Sequence, residues 1–220
     1  MSYFTRSFFK YLKDLKTHNT RPWFESNRAR YEAEVKEPML RFITDLGPGL
    51  RKISPHLVAD PRPVNGSMFR IHRDIRFSRD KSPYKTGVGA YFRLVAAKDV
   101  HTPGLYLHIE PGRSSGGGGL WHPEANALKA VRDRIVARPK EWKTARARLD
   151  IEGEALKRVP AGYDAAHPFA EDLKLKDFTT GTEFSDSEVC ARNFMNQYLE
   201  VARMAAPLLQ FLTKALQLPW

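Results

Sequence analysis

The spacing of apolar residues changes twice along this 220-residue chain, from every third or fourth position to every second and back again. That order restricts the fold more than any motif does. A helix buries a stripe of period 3.6, whereas a half-covered strand buries every other residue. In the first sixty residues, Phe8, Leu12 and Leu15 predict a helix near residues 5–16. Asn19 or Thr20 caps a second helix with Pro22 in its first turn, striped by Trp23, Asn27, Tyr31 and Val35. Pro38 is expected to interrupt it, and Leu40, Ile43 and Leu46 mark a third helical piece ending at Gly47-Pro48.

The middle of the chain alternates. Phe69, Ile71, Ile75 and Phe77 occupy odd positions of 68–78, predicting a strand whose other face carries Arg70, His72, Asp74 and Arg76. Further strands are expected at 88–95 and at 104–110, where Leu105, Leu107 and Ile109 oppose Tyr106, His108 and Glu110. Short Gly/Pro connections predict an antiparallel meander rather than βαβ units. Helical spacing returns with Leu128, Val131 and Ile135, then with Trp142, Ala145 and Leu149; residues 150–184 give no clear pattern. A capping box, Ser185-x-x-Glu188, opens a last helix striped by Cys190, Phe194, Tyr198, Val201, Ala205, Leu208 and Leu212, with Pro207 expected to kink it near Arg203. The fold expected is α+β: a central, mainly antiparallel sheet flanked by N-terminal and C-terminal helices, forming a single domain over residues 1–220.

An apolar share of 42% with 28% charged residues excludes wholesale disorder. No apolar run approaches the roughly 18 residues that cross a bilayer, and no secretory signal opens the chain, so a cytoplasmic protein is expected, without integral membrane association. One cysteine, Cys190, excludes an internal disulfide framework, and its place on a helical stripe makes it a core residue rather than a nucleophile.

The formal net charge is +11, and two segments hold the equivalent of all of it. Residues 62–85 carry seven Lys and Arg against two Asp, and residues 129–148 carry eight against two acids. Around the second segment the cations flank an apolar stripe, as a solvated helix face does, although such a face also suits a phosphate backbone. The first segment contains RIHRDIRFSRDKSPYKT, with Arg70, Arg73, Arg76, Arg79, Lys81 and Lys85 against Asp74 and Asp80. Guanidinium forks bind oxyanions bidentately, lysines add point charge, and Ser78, Ser82 or Tyr84 can donate hydrogen bonds. Two aspartates cannot neutralise six cations, which favours an anion site over a purely structural Arg/Asp lattice. The run Gly116–Gly119 lacks the ending of a P-loop; it reads as a connector, or with Gly117 and Gly118 as an anion nest. His108-x-Glu110 places both side chains on one strand face, with His122 or His72 as conceivable companions, but no established metal motif is present and no metal or other cofactor is expected.

The runs RIHRDIRFSRDKSPYKT, YLHIEPG and GGGLWHPE, in that order, resemble the bacterial and fungal family known as domain of unknown function 2461. HNTRPWFESNRARYE, RVPAGY and the closing helix resemble it too; a departure is His18-Asn19-Thr20, where relatives often carry paired asparagines. The resemblance implies one full-length domain and assigns no activity. The expected function is therefore an oxyanion site built on Arg70, Arg73, Arg76, Arg79, Lys81, Tyr84, Lys85, Gly117 and Gly118, for an anionic small molecule, a nucleotide or a nucleic-acid backbone. The alternatives are a phosphoester hydrolase or transferase using His72 or His108, with Glu110, for acid/base work, and a non-catalytic structural or protein-binding domain. Oligomeric state is left open.

Overall fold

A computed structural model describes residues 2–95 and 101–220 of the chain. The N-terminal helices follow the apolar stripes closely. Helix α1, Arg6–Thr17, buries Phe8, Phe9, Tyr11, Leu12 and Leu15. Helix α2, Arg21–Ser26, is capped by Thr20, whose hydroxyl accepts from the Trp23 amide, with Pro22 in its first turn. Asn27 separates it from α3, Arg28–Tyr31, which runs through a π-helical segment, Glu32–Lys36, into α4, Glu37–Ile53.

Two expected breaks are absent there. The wide turn immediately before Pro38 takes up the missing N–H, so the proline sits in the first turn of α4 instead of ending a helix. Gly47-Pro48 does not end α4 either; the helix continues to Ile53 because Phe42, Ile43, Leu46 and Leu50 are all buried on one face. Packing of such a face outweighs local propensity. The helix stops at Ser54, whose extended backbone is what a following proline demands.

The sheet has four antiparallel strands in the order β1-β2-β3-β4. They are β1 Val88–Arg93, β2 Gly104–Ile109, β3 Ser114–Leu120 and β4 Phe178–Phe184. An antiparallel meander was expected of 68–78, 88–95 and 104–110; the last two form β1 and β2, and the next strand is β3, which corrects the reading of the glycine run as a connector or nest. Gly116–Gly119 lies inside the sheet, paired with β2 on one side and β4 on the other. The reason is the long C-terminal helix crossing it. A Cβ on Gly116 would stand 2.9 Å from the Tyr198 ring, and one on Gly118 would stand 3.2 Å from both Ala205 and Leu209. Strand β4, with three threonines among its seven residues, arises from the stretch that gave no clear pattern.

The segment 68–78 is not a strand. Only Met68 bridges to Ala90 and only His72 to Tyr84, and beyond Arg73 the chain is irregular. The Asp74 carboxylate accepts from the Arg76 amide and the Asp80 carboxylate from the Ser82 amide, turns that draw the backbone away from a ladder. Phe77, an apolar member of the alternation, is 95% exposed.

Helices α5, Ala125–Ala137, and α6, Pro139–Ala145, divide the basic stretch at Arg138. After α7, Ala170–Lys174, and β4, the expected capping box is formed in full at Ser185 and Glu188. It caps a short α8, Asp186–Val189, and the stripe then resumes in α9, Phe194–Ala215, which runs through Pro207 without ending. Cys190 lies at the joint, packed against the core.

Helix α9 is shared by two apolar clusters. Phe194, Tyr198, Val201 and Ala205 join α1, α4 and one face of β1 and β2. Leu208, Phe211 and Leu212 join Val131, Ile135, Trp142, Leu173 and Phe178. Each fully buried aliphatic or aromatic side chain in such a cluster contributes roughly 1.5–3 kcal/mol. Helix α9 covers one face of the sheet, and the other face is where polar and aromatic side chains are left.

Candidate functional site

The loop 69–87 is held beside the edge of β1 by three anchors. At its start the Phe69 amide donates to the Gly89 carbonyl (2.9 Å) along the edge of β1. In its middle the segments around His72 and Tyr84 pair, through Arg73 N–H to the Pro83 carbonyl (2.9 Å) and Lys85 N–H to the Ile71 carbonyl (2.8 Å). At its end Tyr84 is buried, its ring stacked on Phe24 with centroids 4.1 Å apart. The side chain of Asn19 completes the third anchor, donating to the Tyr84 carbonyl (2.9 Å) and accepting from the Tyr84 amide (3.0 Å). One side chain thus meets both backbone groups of Tyr84.

The loop sorts its cations into two groups. Arg73 pairs with Asp80, and Arg76 is bidentate with Asp74, at 2.6 Å for the closer contact. The Asp80 carboxyl is held well below the usual range by the hydroxyl and amide of Ser82 and by Arg73; Asp74 is pulled down to about 2 by Arg76. Lys81 donates to the Ile75 carbonyl (3.0 Å). Arg70, Arg79 and Lys85 form no ion pair among the described residues.

Beneath the loop is a cavity of about 620 Å³. Arg73, Tyr84, Lys85, Ser82 and Thr86 line it from the loop, Lys16 from the end of α1, and Tyr106, His108 and Glu110 from the open face of β2. The two constellations kept apart in the sequence, the arginine string and His108-x-Glu110, therefore meet in one place. Of the expected anion ligands, Arg73, Tyr84 and Lys85 line the cavity, while Arg70, Arg76, Arg79 and Lys81 do not. Gly117 and Gly118 are in β3, their backbones committed to the sheet. His72 packs against Phe24 and Tyr84 and is not a lining residue. Lys16 enters unannounced, since no local pattern ties it to residues 70–85; Thr86 closes the string and Tyr106 shares the strand face of His108, but neither was among the expected ligands.

Within the cavity two features stand out. His108 Nε2 lies 3.2 Å from Glu110 Oε2, and the Thr86 hydroxyl donates to Glu110 Oε1 at 2.7 Å. Burial pushes the Glu110 carboxyl up, but the Thr86 hydroxyl and His108 outweigh it and hold it below its ordinary value. Gly87 makes room for the pair; a Cβ there would stand 2.7 Å from His108 Cε1. The second feature is Lys85, half-buried, whose amine is pushed below its ordinary value first by burial and then by the charge of Arg70. Its Nζ lies 5.3 Å from the centre of the Phe69 ring.

A profile of the conserved hypothetical family DUF2461 matches residues 7–211. The chain belongs to that family. The DUF2461 match runs from the first turn of α1 into the last two turns of α9, and so includes each residue lining the cavity. No curated protein matches the chain, and no solved structure does. Among the described residues, no group of three or more His, Cys, Asp or Glu side chains could hold a metal ion, and no helix is long and apolar enough to cross a membrane.

Proposed function

We propose that the cavity under the loop 69–87 binds a small oxyanion, of the phosphate class, carried by an organic molecule. The observation carrying this reading is Lys85: a half-buried ammonium in a cavity, depressed by burial, with no carboxylate paired to it among the described residues. Desolvating a cation without a partner is unfavourable, and an entering oxyanion supplies the partner. Lys16 adds a second cation without an ion pair among the described residues, and Ser82 and Thr86 add hydroxyls. The two lining carboxylates are already engaged, Asp80 by Arg73 and Glu110 by Thr86 and His108. Elsewhere in the arginine string the cations shape the loop, Arg76 through Asp74 and Arg73 through Asp80.

Melting curves at low salt with phosphate and sulfate test this. At a hundred times its dissociation constant a ligand stabilises by about 2.7 kcal/mol, roughly 5–10 °C here. That shift should vanish in Lys85→Met while the ligand-free melting point is kept. A flat response in the unaltered protein would sink the reading.

The His108–Glu110 pair favours a second reading, a phosphoester hydrolase or transferase. With Nε2 donating to Glu110, Nδ1 is left as the basic nitrogen, in the same cavity as the cations that would hold the transferring group. Turnover of a generic phosphoester that disappears in His108→Ala would support it; none under any condition in which phosphate binds would leave a binding protein.

A further inference from the structure

The geometry points to a nucleoside phosphate as the ligand, its phosphate at Lys85 and its base in an aromatic hollow beside the cavity. This inference rests on the oxyanion reading and specifies its substrate class.

The hollow, about 400 Å³, is lined by Phe69, Tyr91, Tyr106, Trp121 and Thr179. It shares Phe69 and Tyr106 with the cavity that holds Lys85, so the two form adjoining compartments with a common wall. Four of its five lining residues are aromatic, and they stand on the side of the sheet that α9 does not cover. Tyr91 and Tyr106 are directly opposed in the β1–β2 ladder, and Tyr106 lies so close over β4 that a Cβ on Gly181 would meet its hydroxyl at 2.4 Å. Trp121 is 54% exposed and Phe69 39%, although both are large enough to be expected in a core. Rings left facing water around one hollow are a stacking surface for a flat heteroaromatic group, since every base offers a π-face.

The charges decide between a free nucleotide and a strand. Lys85 Nζ stands over Phe69, the shared wall, so the cation lies beside one end of the hollow. Away from that end a carboxylate borders the hollow. Glu152, exposed, bridges to the lining residue Thr179, and its charge acts on the Tyr106 hydroxyl. A polynucleotide running on past the hollow would bring its next phosphate against this carboxylate, whereas a mononucleotide ends at the base.

Calorimetric titration of the full chain with AMP, ribose 5-phosphate, inorganic phosphate and a ten-nucleotide single strand tests the assignment. AMP should bind at least about tenfold more tightly than ribose 5-phosphate, the gain that stacking one base provides. Trp121→Ala, at an exposed position, should erase that difference and leave ribose 5-phosphate unchanged. Equal affinity for AMP and ribose 5-phosphate would overturn the base compartment while leaving the oxyanion site in place. So would an AMP preference that survives Trp121→Ala. A strand that binds more than about tenfold tighter than AMP would replace the nucleotide with a nucleic acid. No binding of any phosphate, inorganic phosphate included, would remove the oxyanion site and this inference with it.

Discussion

Strand β2 presents two faces built from neighbouring residues, and they obey different rules. Leu105, Leu107 and Ile109 are buried against the helices, where close packing fixes each side chain. Tyr106, His108 and Glu110 point the other way, half-buried, beside a loop rich in cations. The covered face tolerates no added or lost volume. The open face carries rings, an imidazole paired to a carboxylate and an unpaired amine, none of which the core requires. Stability and the proposed chemistry are thus divided between alternate residues of a single strand.

The sharpest way to break this division is to alter the covered face. Leu107→Ala should cost about 3 kcal/mol by transfer and cavity terms, lowering the melting point by roughly 6–12 °C. Gly118→Val should cost a similar amount, about 1–3 kcal/mol or more, because its added methyls meet Leu105, Ala205 and Leu209 across the α9 contact. Both variants should still bind phosphate below their melting points; loss of binding with an intact fold would show that the two faces are coupled.

On the open face the expectations invert. Lys85→Met should abolish phosphate binding and leave the melting point equal or higher, since it removes a cation that folding half-desolvates. The sign follows from the pKa. A lysine lowered in the folded state weakens stability below its folded pKa, and that penalty is relieved as pH rises towards the unfolded value of about 10.4. The unaltered protein should therefore lose phosphate affinity as the pH climbs through the depressed Lys85 pKa, and stability curves with pH should be flatter in Lys85→Met. Glu110 works in the acid range. Its lowered carboxyl contributes stability that is present above about 4.3 and lost as pH falls through the folded value, and Glu110→Gln should remove that slope. The smallest effect belongs to Arg76→Ala, which breaks an exposed pair outside the cavity; neither melting point nor phosphate affinity should measurably change. A clear loss of affinity there would return the whole arginine string to the site.

The covered face was readable from the sequence because local pattern and tertiary demand agree there. The alternation at 104–110, the capping box at Ser185 and Glu188 and the stripe from Phe194 to Leu212 each needed only neighbouring residues. Where partners distant in sequence decide, the pattern misled. Gly116–Gly119 has no strand propensity of its own, and only the approach of Tyr198, Ala205 and Leu209 makes it a strand. Conversely, Phe69, Ile71, Ile75 and Phe77 alternate well, yet two aspartates turned the backbone through their own carboxylates. The candidate site was half legible. Its charge was evident, and so were the string and His108-x-Glu110 as separate features, but their meeting depends on β2 lying under a loop some twenty residues away. The division of the arginines into paired and unpaired could not be seen without knowing which aspartate each one reaches.

The Asn19 clamp on Tyr84 means that the loop has no boundary of its own with the α1–α2 turn. A carboxamide presents one donor and one acceptor in the arrangement of a peptide unit, so Asn19 acts as a one-residue strand. Aspartate in its place would keep the acceptor for the Tyr84 amide and set a second acceptor against the Tyr84 carbonyl. Because Lys16 stands three residues before the clamp and Lys85 one residue after its target, a single amide sets the separation of the two lysines that line the cavity. The exchange rate of the Tyr84 amide proton is accordingly a clock for the release of this clamp, readable in solution without any ligand in hand.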